Sequence, residues 1–179
     1  MPLDKNTDNI HVVVRVRPMN QNELKEETGS CIQIDDNDEH NLILDSKPEP
    51  KKFTFDWVAG PNTTQKDIFE FAGKPLIQAC LEGYNCCIFA YGQTSAGKTY
   101  TMQGKGVEST LSKDQLHRGL QPRVFEYIFA AISKQRKEDP EREFYITCSY
   151  LEIYNETIID LVRNRFLINL LDRPRCAKS

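Results

Sequence analysis

The chain has 179 residues, a formal net charge of -3 and a pI near 5.7. That length suits one domain with a sizeable core, and the lack of a basic excess argues against a general binder of nucleic acid or of anionic membranes. No apolar run is as long as a membrane span, and the polar leader, residues 1–9, lacks the features of a secretory signal. We therefore expect one domain that stays in the cytoplasm.

The six cysteines form no C-x-x-C pair and have no matched histidine spacing. Several stand inside apolar patterns, so the sequence predicts reduced thiols in the core rather than zinc ligands or disulfides. They are Cys31, Cys80, Cys86, Cys87, Cys148 and Cys176.

The first predicted strand covers residues 10–16, where apolar side chains alternate. Pro18 ends this strand, and Arg15 and Arg17 lie on one side of its terminus. On these residues alone, the alternative is two solvated arginines at the end of a strand.

Further short strands are predicted over residues 31–34, 41–44 and 52–58. The last two suggest an antiparallel hairpin appended to the edge of a main sheet. The acidic run that follows the first of these strands, residues 35–39, lacks the Gly and the distal Glu of a calcium-binding loop, so it predicts a surface turn.

A helix is predicted from about Gln65 to Leu81. Thr64 with Asp67 three residues later matches an N-cap, and apolar residues then recur at helical spacing. Pro75 removes a backbone donor inside this pattern, which predicts a bend near Gly73.

A strand, a glycine-bounded loop and a helix are predicted next. The apolar run Cys86–Tyr91 predicts a strand that is covered on both faces. The loop fits the phosphate-binding pattern G-x-x-x-x-G-K-[ST] at every fixed position, and its residues are Gly92, Gln93, Thr94, Ser95, Ala96, Gly97, Lys98 and Thr99. The alternative is a glycine-rich turn between two core elements.

Each residue type in this loop has a physical task. The glycines allow several backbone N–H groups to converge on an anion. Lys98 would bring its ammonium group to the β- and γ-phosphates, and Thr99 offers a hydroxyl to Mg²⁺. A helix beginning at about Gly97 adds the positive end of its dipole.

The remaining pattern is less regular. The helix after the loop is interrupted soon after Met102, a polar insertion runs to Arg118, and helical spacing resumes from Gln121 until a charged run over residues 134–143. Strands are predicted over residues 144–154 and 157–162, with a turn at residues 155–156 between them. The tail, residues 163–179, is basic and shows no continuing period.

Asp160 has two interpretations. A hydrophobic strand that ends in Asp resembles the partner of a phosphate loop that binds Mg²⁺ through water. An Asp that closes a short strand is also ordinary turn chemistry, and the sequence favours this second interpretation.

The phosphate loop with its flanks, IFAYGQTSAGKTYTM, resembles the kinesin motor domain. Four other segments are similar to that family in the same order: RVRP from Arg15, FTFDWV, LEGYN, and LEIYNE followed by DL. The resemblance covers residues 10–162, which we interpret as the N-terminal portion of a motor domain, with residues 163–179 as a divergent tail. It implies a P-loop NTPase fold, a three-layer α-β-α sandwich that is incomplete on its C-terminal side.

The resemblance also implies a ligand and its site. Gly92 to Thr99 would hold the phosphates of ATP with Mg²⁺, and Thr99 would contact the metal. Arg15, Pro18 and Tyr100 would form the adenine pocket, with Arg17 assigned more loosely to it. An aromatic ring beside a guanidinium can hold a purine by stacking, so the chemistry of the residues agrees.

Two departures from the family affect the expected activity. Ala96 stands where kinesins usually have Ser or Gly, which keeps the backbone N–H. The loops N-x-x-S-S-R-S-H and D-L-A-G-S-E, which sense the γ-phosphate, do not occur in this sequence.

Three functions remain open at this point. The first is the ATP-binding portion of a microtubule-based motor, associated with the cytoskeleton. The second is a nucleotide-binding fragment without motor activity, and the third is a myosin-like ATPase, against which the RVRP and EIYNE segments argue.

Overall fold

The computed structural model describes residues 10–26, 29–35, 38–105, 116–162 and 165–169. The chain divides into two compact units, residues 1–134 and residues 135–179. In the described residues, no helix combines the length and the apolar character of a membrane span.

The core of the first unit lies beside a pair of parallel strands. β1 (Val13–Arg15) pairs with β5 (Trp57–Ala59), so the predicted first strand is confirmed over a shorter range. Four buried residues form the core: Ala59, Ile68, Phe69 and Leu120. Burying each of the larger side chains contributes about 1.5–3 kcal/mol to folding.

A second sheet is antiparallel and has three strands. It consists of β2 (Ile32–Ile34), β3 (Asn41–Leu44) and β4 (Lys51–Thr54), so the predicted hairpin is confirmed. The single strand predicted over residues 52–58 is wrong, because the chain changes sheets at Asp56. The Asp56 carboxylate accepts a hydrogen bond from the Val12 amide at 2.7 Å, which holds this corner.

The predicted bent helix is confirmed and has three parts. α2 (Gln65–Ile68) is followed by one π-helical turn (Phe69–Gly73) and then by α3 (Lys74–Leu81). Thr64 and Asp67 form a complete capping box at its start. Pro75 cannot donate a backbone hydrogen bond, and the preceding Lys74 amide reaches five residues back to Phe69, which produces the wide turn.

The prediction of a buried strand over Cys86–Tyr91 is wrong for the described structure. This segment has no regular secondary structure, and Phe89 and Tyr91 are 84% and 92% exposed. A strand exists only when a neighbouring segment pairs with it, and no described segment pairs with this one. Ile88 alone of the run packs against the core.

The prediction that the cysteines lie in the core is wrong. The described cysteines are free thiols, but all of them are exposed rather than in the core. Cys176 lies outside the described residues. Cys86 and Cys87 are exposed because the apolar run that contains them is uncovered.

Two helices complete the first unit. α4 (Lys98–Met102) ends where the sequence predicts, and Gly104 then forms an isolated antiparallel bridge with Arg118. The long helix α5 (Leu120–Glu138) extends further into the charged run than predicted, and the division between the units falls within it. The predicted insertion lies mostly outside the described residues.

The second unit contains one antiparallel sheet, formed by β6 (Leu151–Tyr154), β7 (Thr157–Asp160) and β8 (Arg165–Asn169). Asn155 and Glu156 form the predicted turn with φ values of 46° and 60°. The predicted strand over residues 144–154 is confirmed only in its last four residues. β8 lies in the tail, where the sequence shows no hydrophobic period and no strand was predicted. Its conformation depends on pairing with β7.

Candidate nucleotide-binding site

The loop before α4 turns sharply at its end. Gly97 has φ 100° and ψ 16° and is the N-cap of α4, as the sequence predicts for the last glycine of the loop. Ser95 has φ 67°, which is unusual for a residue with a side chain, and the Ala96 amide donates to the Gln93 carbonyl at 3.2 Å. The loop therefore has the left-handed turns that let backbone amides converge on an anion.

The side chain of Lys98 lies across this loop. Its ammonium group donates hydrogen bonds to the Gly92 carbonyl at 2.7 Å and to the Gln93 carbonyl at 2.8 Å. Both acceptors are neutral, so the positive charge remains available to an anionic ligand. The neighbouring Thr99 is exposed, with its hydroxyl in the first turn of α4.

Arg15 and Tyr100 lie beside each other next to the loop. The guanidinium carbon of Arg15 is 5.1 Å from the centre of the Tyr100 ring. Burial lowers the pKa of Arg15, while the Tyr100 hydroxyl raises it by a smaller amount. Arginine keeps its charge despite such shifts, so a cation and an aromatic face stand together here.

Arg17 connects the loop to α1 (Gln21–Lys25). Its Nε donates to the Ser95 carbonyl at 3.0 Å, and its two terminal nitrogens donate to the Glu23 carboxylate at 2.7 and 2.5 Å. These hydrogen bonds raise the pKa of Arg17 and lower the pKa of Glu23 to about 2. Glu23 also accepts from the Asn20 amide at 2.8 Å, completing the capping box of α1.

The pair between Arg17 and Glu23 gives a pH prediction. Because folding lowers the Glu23 pKa from 4.5 to about 2, its contribution to stability is complete above pH 4.5 and is lost as the pH falls toward 2. We expect Glu23→Gln to lower the urea midpoint at pH 7, and the difference from the parent to shrink below about pH 4.5. Glu26→Gln, on the exposed residue that follows α1, is the control. A difference that stays constant down to pH 3 would contradict the assignment.

A cleft with a volume of about 480 Å³ lies beside the loop. It brings together a subset of the residues that the sequence analysis assigned to nucleotide binding: Arg15, Arg17, Pro18, Ser95, Ala96, Gly97 and Tyr100. The other predicted residues, Gly92, Gln93, Thr94, Lys98 and Thr99, are on the same loop and helix but do not line the cleft. Because the Arg15 guanidinium lies against the Tyr100 ring, the pair can offer a cation and an aromatic ring to one side of a planar base, with phosphates beside the loop.

Several residues of the site were not predicted. Pro61, Thr63 and Thr101 line the cleft, and Gln65 contacts Arg15 from beneath it. Their positions depend on how the chain between β5 and α2 folds back toward α4. No local pattern in the sequence predicts such a contact.

Asp160 takes the role of a turn residue. Its side chain accepts a hydrogen bond from the Val162 amide at 2.9 Å, directly after β7. In the part of the chain that the structure describes, no group of three or more His, Cys, Asp or Glu residues is arranged to hold a metal ion. The hydrogen bond from Val162 agrees with the turn interpretation of Asp160.

Comparison with known proteins gives consistent results. A family model described as the kinesin motor domain matches residues 15–175. The kinesin-like protein KIF15 of Strongylocentrotus purpuratus is 45% identical over 159 residues, and the match covers 87% of this chain and 10% of that protein. KIF15 of Homo sapiens is 42% identical over 87% of this chain and 11% of its own length. The kinesin-like protein KIN-12E of Arabidopsis thaliana is 40% identical over 86% of this chain and 12% of its own length.

A solved structure is also similar. It is a fast kinesin, described with implications for its ATPase mechanism and its interactions with microtubules; the TM-score is 0.70 at 36% identity. The match covers 87% of this chain and 42% of the solved chain. The chain thus spans about a tenth of its curated relatives and under half of this solved kinesin. The predicted fold class, α/β of the P-loop NTPase type, is confirmed, and the chain belongs to the kinesin motor-domain family.

Proposed function

We propose that this chain is the ATP-binding portion of a microtubule-based motor and that it binds ATP with Mg²⁺. The observation that carries the proposal is the cleft of about 480 Å³, which joins the Arg15 and Tyr100 pair to the turn at Ser95–Gly97. A nucleotide needs one surface for its base and another for its phosphates; the cleft offers the first, and its wall at Ser95–Gly97 belongs to the loop that would offer the second. Membership of the kinesin family removes the myosin-like alternative.

On the base side, Tyr100 and Pro18 offer apolar faces and Arg15 offers a cation. Stacking of this kind holds a purine without hydrogen bonds to its edges. Arg17 contributes indirectly, since it fixes the Ser95 carbonyl while it is itself held by Glu23. This assignment makes Arg17 a support for the loop rather than a contact of the base.

On the phosphate side, the residues from Gly92 to Thr99 would hold the anion. Lys98 would exchange its two carbonyl acceptors for oxygens of the β- and γ-phosphates, which are charged and accept more strongly. Thr99 would ligate Mg²⁺ through its hydroxyl, and the ion would supply positive charge against the phosphates. The N-terminus of α4 points its free amides toward the same region.

The base-side assignment predicts the effect of Tyr100→Ala. We expect this change to weaken ATP and ADP alike, by about 1–3 kcal/mol, because stacking acts on the base. Tripolyphosphate, which has no base, should bind as before. Isothermal titration with the three ligands measures this, and an equal loss for tripolyphosphate would assign Tyr100 to the fold instead.

The motor part of the proposal concerns a partner. Kinesins are microtubule motors, and we propose the same partner, tubulin polymer, and the same place, the cytoplasmic microtubule cytoskeleton, for the protein that contains these residues. The competing proposal is a nucleotide-binding fragment without motor activity. Phosphate release by the purified chain, measured with and without polymerised tubulin, separates the two.

A further inference from the structure

Gln65 is a buried polar residue directly beneath the cleft. Its side chain is 1% exposed, and it is the largest fully buried side chain in the described residues. Its Oε1 accepts a hydrogen bond from Arg15 Nη1 at 2.8 Å, and its Nε2 donates to the Tyr100 carbonyl at 2.6 Å. The amide orientation follows from its partners, because a guanidinium can only donate and a carbonyl can only accept.

The hydrogen bond to Tyr100 satisfies a backbone carbonyl near the end of α4. α4 is one turn and a half long, and the amide of Gly104 donates to the Thr99 carbonyl at 3.3 Å instead of the Tyr100 carbonyl. Gln65 supplies the donor that the helix itself does not. The end of the helix that begins at Lys98 is thus fixed from another element.

The contact with Arg15 orients the cation that lies beside the Tyr100 ring. Besides Gln65, the guanidinium donates to the Thr101 hydroxyl at 3.1 Å and to the Thr63 carbonyl at 3.4 Å. These three acceptors are neutral, so they orient the cation without cancelling its charge. Gln65 is the one described residue whose side chain hydrogen-bonds both Arg15 and the backbone of Tyr100.

We propose that Gln65 is a positioning residue that sets the preference of the cleft for a nucleotide over a bare polyphosphate. It holds the Arg15 guanidinium and the Tyr100 backbone at a fixed separation, so that cation and ring face the base together. This inference rests on the proposed function. Gln65 does not line the cleft, and its replacement should weaken binding of the base but not binding of the phosphates.

The test compares ATP with tripolyphosphate in the same protein. The quantity measured is the ratio of the tripolyphosphate Kd to the ATP Kd, both with Mg²⁺, so that any change in the folded fraction cancels. Gln65→Leu keeps the approximate volume but removes both hydrogen bonds. We expect the ratio to fall about tenfold, mostly through weaker ATP binding, with tripolyphosphate changing less than about twofold.

A matched control separates positioning from stability. Ile68→Val shortens a buried side chain, 3% exposed, on the same short helix, and Ile68 belongs to the core cluster rather than to the cleft lining. It should lower the thermal midpoint while leaving the ratio unchanged. If Gln65→Leu does not fold, Gln65→Met, with an unbranched side chain of similar length, carries the same expected ratio.

The outcomes are distinct. A parent chain that binds neither ligand overturns the proposed function itself. A parent that binds both, with a ratio within twofold in the folded Gln65 variant, overturns the positioning role alone. Equal weakening of both ligands would likewise make Gln65 a structural residue only.

Discussion

Replacing Lys98 by alanine is expected to raise the Kd for Mg·ATP by about 150-fold, a loss of about 3 kcal/mol. The change removes the side-chain cation that lies across the phosphate loop and leaves the phosphate charge facing backbone dipoles. The loop conformation itself should persist, since its turns are at Ser95 and Gly97. Titration with a fluorescent ATP analogue, or calorimetry, measures the effect.

Two controls make this result interpretable. Lys74→Ala removes a lysine that is paired with Glu70 at 2.6 Å on the helix surface, so it should leave ATP binding unchanged. Lys98→Arg keeps the charge but replaces a compact ammonium with a planar fork, and it should recover only part of the affinity. A Lys98→Ala protein that binds Mg·ATP within about threefold of the parent, about 0.7 kcal/mol, would show that this loop is not the phosphate site.

The elements that local chemistry determines were predictable from the sequence. Thr64 and Asp67 mark a helix start because their side chains bond to backbone groups within the same turn. Pro75 marks the irregular turn because it lacks an N–H wherever it stands. Gly97 marks the end of the phosphate loop because few other residues adopt its φ.

Strands that depend on pairing with another segment could not be predicted in the same way. The apolar pattern of Cys86–Tyr91 is that of a covered strand, yet pattern alone cannot provide the strands that would pair with it. β8 is the reverse case, since its residues show no period but pair with β7. In both cases pairing with another segment, rather than the residue pattern of the segment itself, decides the conformation.

The residues of the candidate site also differ in whether the sequence could predict them. Its phosphate loop is a contiguous motif, and Arg15, Pro18 and Tyr100 follow from resemblance to a family. Glu23 contacts Arg17 across 6 positions of sequence and Gln65 contacts Arg15 across 50, through hydrogen bonds that depend on the fold. The residues that support the candidate site were therefore not predicted, whereas the proposed ligand contacts come from a contiguous motif and from the family resemblance.

Replacing Gly97 by alanine is expected to weaken Mg·ATP binding by at least about tenfold through the backbone alone, and a glycine elsewhere in the chain provides a close control. Gly97 has φ 100° and Gly83 has φ 103°, and an added Cβ would meet no atom within 4 Å at either position. Each alanine thus introduces left-handed strain of about 1–2 kcal/mol and no clash. Gly83 follows α3 and does not line the cleft, whereas Gly97 is the N-cap of α4 and lines it beside the proposed phosphate position.

The two glycine variants should therefore lose similar stability and differ in function. Both thermal midpoints should fall by comparable amounts, since the strain is the same and neither site is crowded. Only Gly97→Ala should lose affinity for Mg·ATP and for tripolyphosphate together, because relief of its strain turns the amides of Lys98 and Thr99 away from the anion. Equal affinities in Gly97→Ala and Gly83→Ala would show that the turn before α4 does not take part in phosphate binding.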